Sequence, residues 1–407
     1  MRHLYLLKQL IKKEKKLKIN FQNILSREVV VFDGVSYKDL IFLLEDYDYQ
    51  IIENRYDRIK ELNLSFQVIL NVLKNFFILV TKKNFNLPIL YYYTIIKLIR
   101  PKVVITSIDN SRQFHQLAQL LEKHSTFMAV QNANRLDYTN NDYNFKNKLI
   151  DKNYNSEVFI PNFFCFGDHE KKLARNYKLK IKKFYKYGSI RVANFFHYIK
   201  KKKINLRDNL FDICLISESL PGFNNRFKQN FIEEGIGILA KYAIKFSIEN
   251  NLKFVFASKP LKKYRDLNDK QISFYKKHLN QKEFNHLLSN FNERKNIYSS
   301  YEAIFQCKVL VGCVSTLLRD KIGLRQKILS CNLTNFQTFN FPINDICSIN
   351  NCSYDEFANR LKKILNTPIN DYFKNIKPNY VMAFDEKEST IKKIKLKINE
   401  SLLQNEK

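Results

Sequence analysis

Two α/β domains followed by a helical tail are what this sequence predicts, and three observations predict it. Short apolar, β-branched runs alternate with longer helical patterns, the signal of parallel strand–helix units. That alternation runs twice, on either side of a basic, strand-poor stretch at 196–209. The length, 407 residues, also suits two or three domains that each bury a core.

In the first series the strand-like runs are 28–32, 103–108, 126–130, 163–166 and 184–187, with helical patterns over 36–46, 65–80, 88–99 and 111–124. Asn110 and Ser111 can cap the helix that carries Phe114, Leu117, Leu120 and Leu121 at helical spacing. The second series has strands at 212–216, 254–257, 309–311 and 328–331. Helices are expected near 229–249, within 267–292, at 315–323 and at 353–365, with a Lys-rich helix over 386–404. The expected plan is a Rossmann-like domain over 1–195, a linker at 196–209, a second Rossmann-like domain over 210–385 and a C-terminal helix at 386–407. A cleft between the two domains is the expected ligand site.

Hydrophobic content of 45% and charged content of 27% are those of a globular chain, and 8 Gly with 8 Pro argue against long linkers. A formal charge of +30 favours anionic partners: nucleic acid, nucleotides or an acidic membrane leaflet. Abundant Lys, Asn, Ile, Phe and Tyr with no Trp has the look of compositional drift, which weakens the charge argument. No zinc-finger spacing, RNA-recognition signature or basic helix with heptads is present, so no specific nucleic-acid contact is expected. The denser basic runs, 12–16 and 200–203, read as solvated faces first and membrane-surface contacts second. Seven cysteines without a CxxC pair argue against zinc and for a reducing, cytoplasmic compartment. The N-terminus lacks a secretory signal's apolar core. The apolar stretches 66–80 and 88–99 are shorter than a membrane span and read as core-facing helices, so a soluble or peripheral protein is expected.

Residues 309–331 carry the chemistry best. An apolar strand ends in Gly312-Cys313-Val314-Ser315-Thr316, a helix with Asp320 follows, and then a second strand. Free N–H groups and the positive dipole end make that helix start an anion site. Ser315 and Thr316 are placed to hold a donor phosphate and Asp320 to reach a ribose. Ser217 and Lys259, in the loops after two other strands, would face the same edge. The plain alternatives are an N-cap role for Ser315 and a solvated helix position for Asp320. In the first series Asp109 and Asn110 end one strand, while Gln131, Asn132 and Arg135 end the next. Asp109 could be a general base for an acceptor hydroxyl or only a helix cap. Gln131 and Asn132 could bind acceptor or fix their loop, and Arg135 could hold phosphate or face solvent. His115 and His169 read more readily as structural. No metal-ligand spacing, Walker A motif, GxGxxG or GxSxG occurs. No metal and no cofactor are expected.

The strings PKVVITSIDNSRQFHQLAQL, AVQNANR, FFCFGDHE, YKYGSIRVA, FDICLISES and VSTLLRDKIGLRQKIL resemble bacterial surface-carbohydrate biosynthesis proteins, as do FNFPINDICS and YDEFANRLKKIL. These are glycosyltransferase-B-like (GT-B-like) enzymes, distantly similar to capsule and poly(glycerol-phosphate) transferases. The likeness covers roughly residues 100–385. It implies an α/β fold of two Rossmann-like domains facing a cleft. By resemblance, Ser315 and Thr316 fall at the donor phosphate and Asp320 where a ribose-contacting Glu usually stands, one methylene shorter. Asp109 and Gln131 match the acceptor-side motifs.

The expected activity is a metal-independent glycosyltransferase of capsule or O-antigen synthesis, using a nucleotide-sugar donor and a glycan or lipid-linked glycan acceptor. Fixed N–H groups and the helix dipole would stabilise the leaving phosphate in place of a metal. It would work in the cytoplasm or on the inner face of the cytoplasmic membrane. A polyol-phosphate transferase, a sugar-nucleotide epimerase of the same fold and, from another class, a basic nucleic-acid-binding protein are the alternatives.

Overall fold

The computed structural model describes residues 18–55, 59, 61–81, 86–137, 158–177, 179–218, 230–385 and 387–404. Two six-stranded sheets organise the chain, and all of their pairings are parallel. A separate short pair joins β1 (Lys18–Asn20) to β4 (Glu61–Asn63).

The first sheet contains β2 (Val29–Phe32), β3 (Tyr49–Ile52), β5 (Val103–Thr106), β6 (Thr126–Val130), β7 (Phe159–Cys165) and β8 (Lys180–Lys186). Their spatial order is β3-β2-β5-β6-β7-β8. The second contains β9 (Phe211–Ile216), β10 (Phe254–Leu261), β11 (Phe291–Arg294), β12 (Cys307–Gly312), β13 (Ile328–Asn332) and β14 (Ser348–Asn350). Its order is β11-β10-β9-β12-β13-β14, the doubly wound arrangement of dinucleotide-binding domains. In each sheet the chain reverses its direction of travel once. The crevice at that point lies between β2 and β5 in the first sheet and between β9 and β12 in the second.

Central strands are covered by helices on both faces and read as unbroken apolar runs. VVVF of β2 and the four residues of β5 are fully buried. Edge strands lack that run. YQII of β3, FNER of β11 and three-residue β14 were not legible, and β8 begins four residues before its expected start.

Two segments differ from expectation. The helix Phe66–Leu79 turns only Val68, Asn75 and Leu79 inward and leaves most of its apolar residues in solvent, so it is not a core-facing helix. It packs on the helix Leu87–Ile99, which is buried along its length, and Asn75 Nδ2 donates to Thr94 Oγ1 at 3.0 Å between them. The stretch expected as a linker, 196–209, starts inside the helix Ile190–Lys202. Ile190 belongs to the first domain's core, while Phe195 stacks on Tyr301 and Phe305 of the second at 5.4 and 5.3 Å. Lys200, Lys201 and Lys202 occupy the last turn of this helix, where cations complement the negative dipole end. The other basic run, 12–16, lies outside the described residues.

The C-terminal segment returns to the first domain. Residues 379–383 cross the ends of β7 and β8 so closely that a Cβ on Gly167 would meet Tyr380 O at 2.6 Å, and one on Gly188 would meet Ala383 O at 2.1 Å. Gly188 also has φ +78°, a conformation other residues rarely adopt. The helix Thr390–Gln404 then buries Ile391, Ile394 and Ile398 against Val29, Val31, Leu40 and Ile105 of the first domain.

Candidate functional site

The carboxyl edges of the two sheets face a shared cleft enclosing a cavity of ≈ 630 Å³. From the second domain come Ser217 and Glu218 just after β9, and Ser315 and Thr316 at the start of the helix after β12. Lys259 comes from β10 itself, which runs on past its expected end at 257 and so holds Lys259 in the strand and not in a loop. From the first domain come Lys38, Asp39, Asn134 and Arg191, and Arg294, Tyr298 and Tyr301 complete the wall. Four cations, Lys38, Arg191, Lys259 and Arg294, thus line it against two carboxylates, Asp39 and Glu218. Both carboxylates are engaged. Arg191 grips Asp39 through Nε and Nη2 at 2.9 and 3.0 Å, the forked geometry of a strong pair. Burial lowers the Lys259 and Arg294 pKa values, and the Arg191 charge lowers that of Arg294 further.

The helix start at 315 does bind an anion, and that anion is Glu218. Its carboxylate accepts from the backbone N–H of Cys313 at 2.7 Å, of Val314 at 2.9 Å and of Ser315. Burial raises the Glu218 pKa, and the three N–H groups and Lys259 oppose the rise. Ser315 Oγ caps its own helix, Thr316–Gly323, by accepting from Leu317 N at 3.3 Å. Thr316 Oγ1 accepts from the Asn134 N–H at 3.2 Å, across the cleft. Ser217 Oγ is held by Gln271 and by the Tyr275 hydroxyl.

Asp320 does not line this cavity. It is buried, with Oδ2 accepting from Tyr301 Oη at 2.9 Å and Oδ1 without a partner. Burial pushes its pKa up to about 6. It faces a second cavity of ≈ 540 Å³, formed with Ser189, Met382 and the C-terminal helix.

The first-domain residues expected on the acceptor side, Asp109, Asn110, Gln131, Asn132 and Arg135, do not line this cavity either. Asp109 is buried and bonded on both oxygens by Arg135, through Nε at 3.1 Å and through Nη2. Burial raises the Asp109 pKa and the Arg135 charge opposes the rise. With Asn110 and His115 they border a cavity of only ≈ 30 Å³. A carboxylate this buried needs a countercharge, and the next loop supplies one. Gln131 fixes its loop: Nε2 donates to Ala133 O and Glu170, and Oε1 accepts from Phe166 N. Asn132 is half-buried. His115 and His169 are buried, each with a pKa pushed down to about 4 by burial. Among the described residues no three His, Cys, Asp or Glu side chains gather to hold a metal ion.

No protein family and no curated protein matches this sequence. Solved structures do match its shape. The UDP-N-acetylglucosamine 2-epimerase of Neisseria meningitidis, bound to UDP-N-acetylglucosamine, superposes with a TM-score of 0.53 at 12% identity, over 92% of this chain and 99% of that one. A Listeria monocytogenes protein described as the same kind of epimerase gives 0.53 at 11% identity, over 93% and 97%. The wall teichoic acid polymerase TagF gives 0.51 at 11% identity, over 99% and 98%. The fold is GT-B. That likeness covers more of the chain than residues 100–385, where the sequence strings lie.

Within this GT-B frame Arg191, Asp39, Arg294 and Tyr301 had escaped sequence reasoning, while Glu218 and Asn134 lay in loops expected at the sheet edges but without a role of their own. Asn134 bridges the domains, its Nδ2 donating to Val314 O at 2.8 Å. Arg191 and Asn134 stand in the strings YKYGSIRVA and AVQNANR, so a signal was present, but nothing local distinguished them from loop polar residues. Arg319 is the fourth residue of the Thr316–Gly323 helix and lies fully buried. It donates to Glu170 at 2.7 Å and to the Val381 carbonyl, joining both domains and the returning chain at one point.

Proposed function

We infer that the protein is an enzyme acting on a nucleotide-activated sugar or polyol, and that it transfers the activated group to a glycan or lipid-linked glycan acceptor. The observation that carries this reading is the cation-lined cavity at the meeting of two carboxyl sheet edges. Such edges are where doubly wound domains receive ligands, and four cations against two already-paired carboxylates favour an anion. In this reading the donor phosphates lie near Lys259, Arg294 and Arg191, and the base stacks toward Tyr298 and Ile297. The 313–315 N–H groups stabilise charge on the leaving phosphate once it takes the place of the Glu218 carboxylate. Sugar transfer in capsule or O-antigen synthesis is the form we favour, at the cytoplasmic face of the membrane. Polyol-phosphate transfer uses the same cavity.

An epimerase is less well supported, because no histidine among the described residues lines the cavity and both carboxylates there are tied to partners. Thermal shift with CMP, CDP, UDP and GDP tests donor binding, and a single nucleotide raising the melting temperature is expected. Release of free nucleotide only when glycan acceptor is present would then separate transfer from epimerisation. Absence of any nucleotide effect, together with salt-steep binding to random nucleic acid, would overturn the reading.

A further inference from the structure

The helix Phe66–Leu79 carries its apolar stripe on the wrong side for a core. Phe66, Ile69, Leu70, Leu73, Phe77 and Val80 recur at three- and four-residue spacing on one face, and that face is in solvent, with Phe66 and Phe77 each 75% exposed. The opposite face, Val68, Asn75 and Leu79, is the one that packs on the protein. The patch continues beyond the helix. Ile24 N donates to Gln67 Oε1 at 3.2 Å, which sets the segment with Phe21 and Leu25, 70% and 63% exposed, beside the first helical turn. An exposed apolar surface of this extent marks an interaction site.

We propose that this face is a membrane-docking surface that lies in the interfacial layer of a bilayer bearing anionic headgroups. Charge selects that occupant. The helix has no acidic residue, and its one charged side chain, Lys74, is exposed beside the stripe; near Phe21, exposed Lys18 stands in register with exposed Glu61, so that end of the patch is charge-balanced. An apolar stripe with an exposed lysine beside it and no carboxylate on its own helix suits a planar, acidic lipid surface. Two copies of the chain pairing through this face would bring together partners that each carry +30. No helix among the described residues is long and apolar enough to cross a membrane, so the contact is with one leaflet. The surface does not depend on the reaction proposed above.

Co-sedimentation with vesicles tests it, using phosphatidylcholine alone and phosphatidylcholine with about one-third phosphatidylglycerol. The intact protein is expected to sediment with the anionic vesicles, less with the neutral ones, and less again in high salt. Phe66→Ser/Phe77→Ser should weaken sedimentation about tenfold or more, because two large side chains no longer enter the interface. Its thermal unfolding should match the parent. Lys74→Glu, which leaves the apolar stripe intact, should weaken binding to anionic vesicles alone. Equal sedimentation of parent and Phe66→Ser/Phe77→Ser would overturn the proposal. So would a parent that stays in solution, or one that forms dimers abolished by these substitutions, which would make a second copy the occupant.

Discussion

At Asp320 the carboxyl group is 1% exposed, with one oxygen taking the Tyr301 hydroxyl and the other bare. Its pKa of about 6 stands above the ordinary 3.8, so between those values the folded chain keeps a proton that the unfolded chain has released. Its contribution to stability is therefore complete below the ordinary value and is lost as pH rises through about 6. Asp320→Asn keeps an acceptor for Tyr301 and removes the charge. The variant should gain on the parent by up to about 3 kcal/mol between about pH 4 and pH 7, and denaturant titrations across that range check it. Parallel stability curves would show that the group titrates normally. Glu218 meets the cost of burial differently, by accepting three backbone N–H groups. If a donor phosphate competes for those groups, Glu218→Gln should tighten nucleoside-diphosphate binding about tenfold in calorimetry. Weaker binding would assign the N–H groups to Glu218 alone.

At the scale of elements, the helices Asp168–Asn176 and Thr316–Gly323 meet through Glu170 and Arg319, whose side chains are each 1% exposed. Glu170 also accepts from Gln131 and Gly167 N, so its charge is held by both side chain and backbone. Arg319→Met strands that carboxylate and should cost about 3–5 kcal/mol, read from the denaturation midpoint. Adding Glu170→Gln should recover part of the loss, and an undiminished loss would mean that the stacking of Arg319 on Phe166 and its hydrogen bonds to the Val381 carbonyl matter more than its pairing with Glu170. Legibility followed burial. Buried strands such as β5 and β12 announced themselves as apolar runs, and the site loop at 312–316 was readable because it follows one. Edge strands, half wet, carry no such pattern. The helix 168–176 went unread because its sequence, DHEKKLARN, is mostly polar and is buried on one side through Glu170 and Leu173.

For the whole molecule, the returning helix Thr390–Gln404 makes the C-terminus part of the first domain's core. Ile394→Ala should therefore cost about 2–5 kcal/mol, a transfer and cavity term, and hydrogen exchange should show the loss at β2 and β5 of the first domain. Loss confined to the second domain would contradict that packing. Sequence alone determined the α/β class, the two-fold alternation of strands and helices, the position of most buried elements and the strand–turn–helix at 309–323. Each of these is set by local pattern: burial on two faces, helical spacing, a small-residue turn at a helix start. Only the tertiary structure decided which polar groups share the cleft, that Glu218 occupies the N–H cradle, that Asp109 is buried against Arg135 and Asp320 against the Tyr301 hydroxyl, and that an apolar helix faces outward. Those outcomes depend on what each side chain meets across the fold. A carboxylate pairs with whatever charge or N–H group the fold brings near, and an apolar stripe is buried only where another surface arrives to cover it.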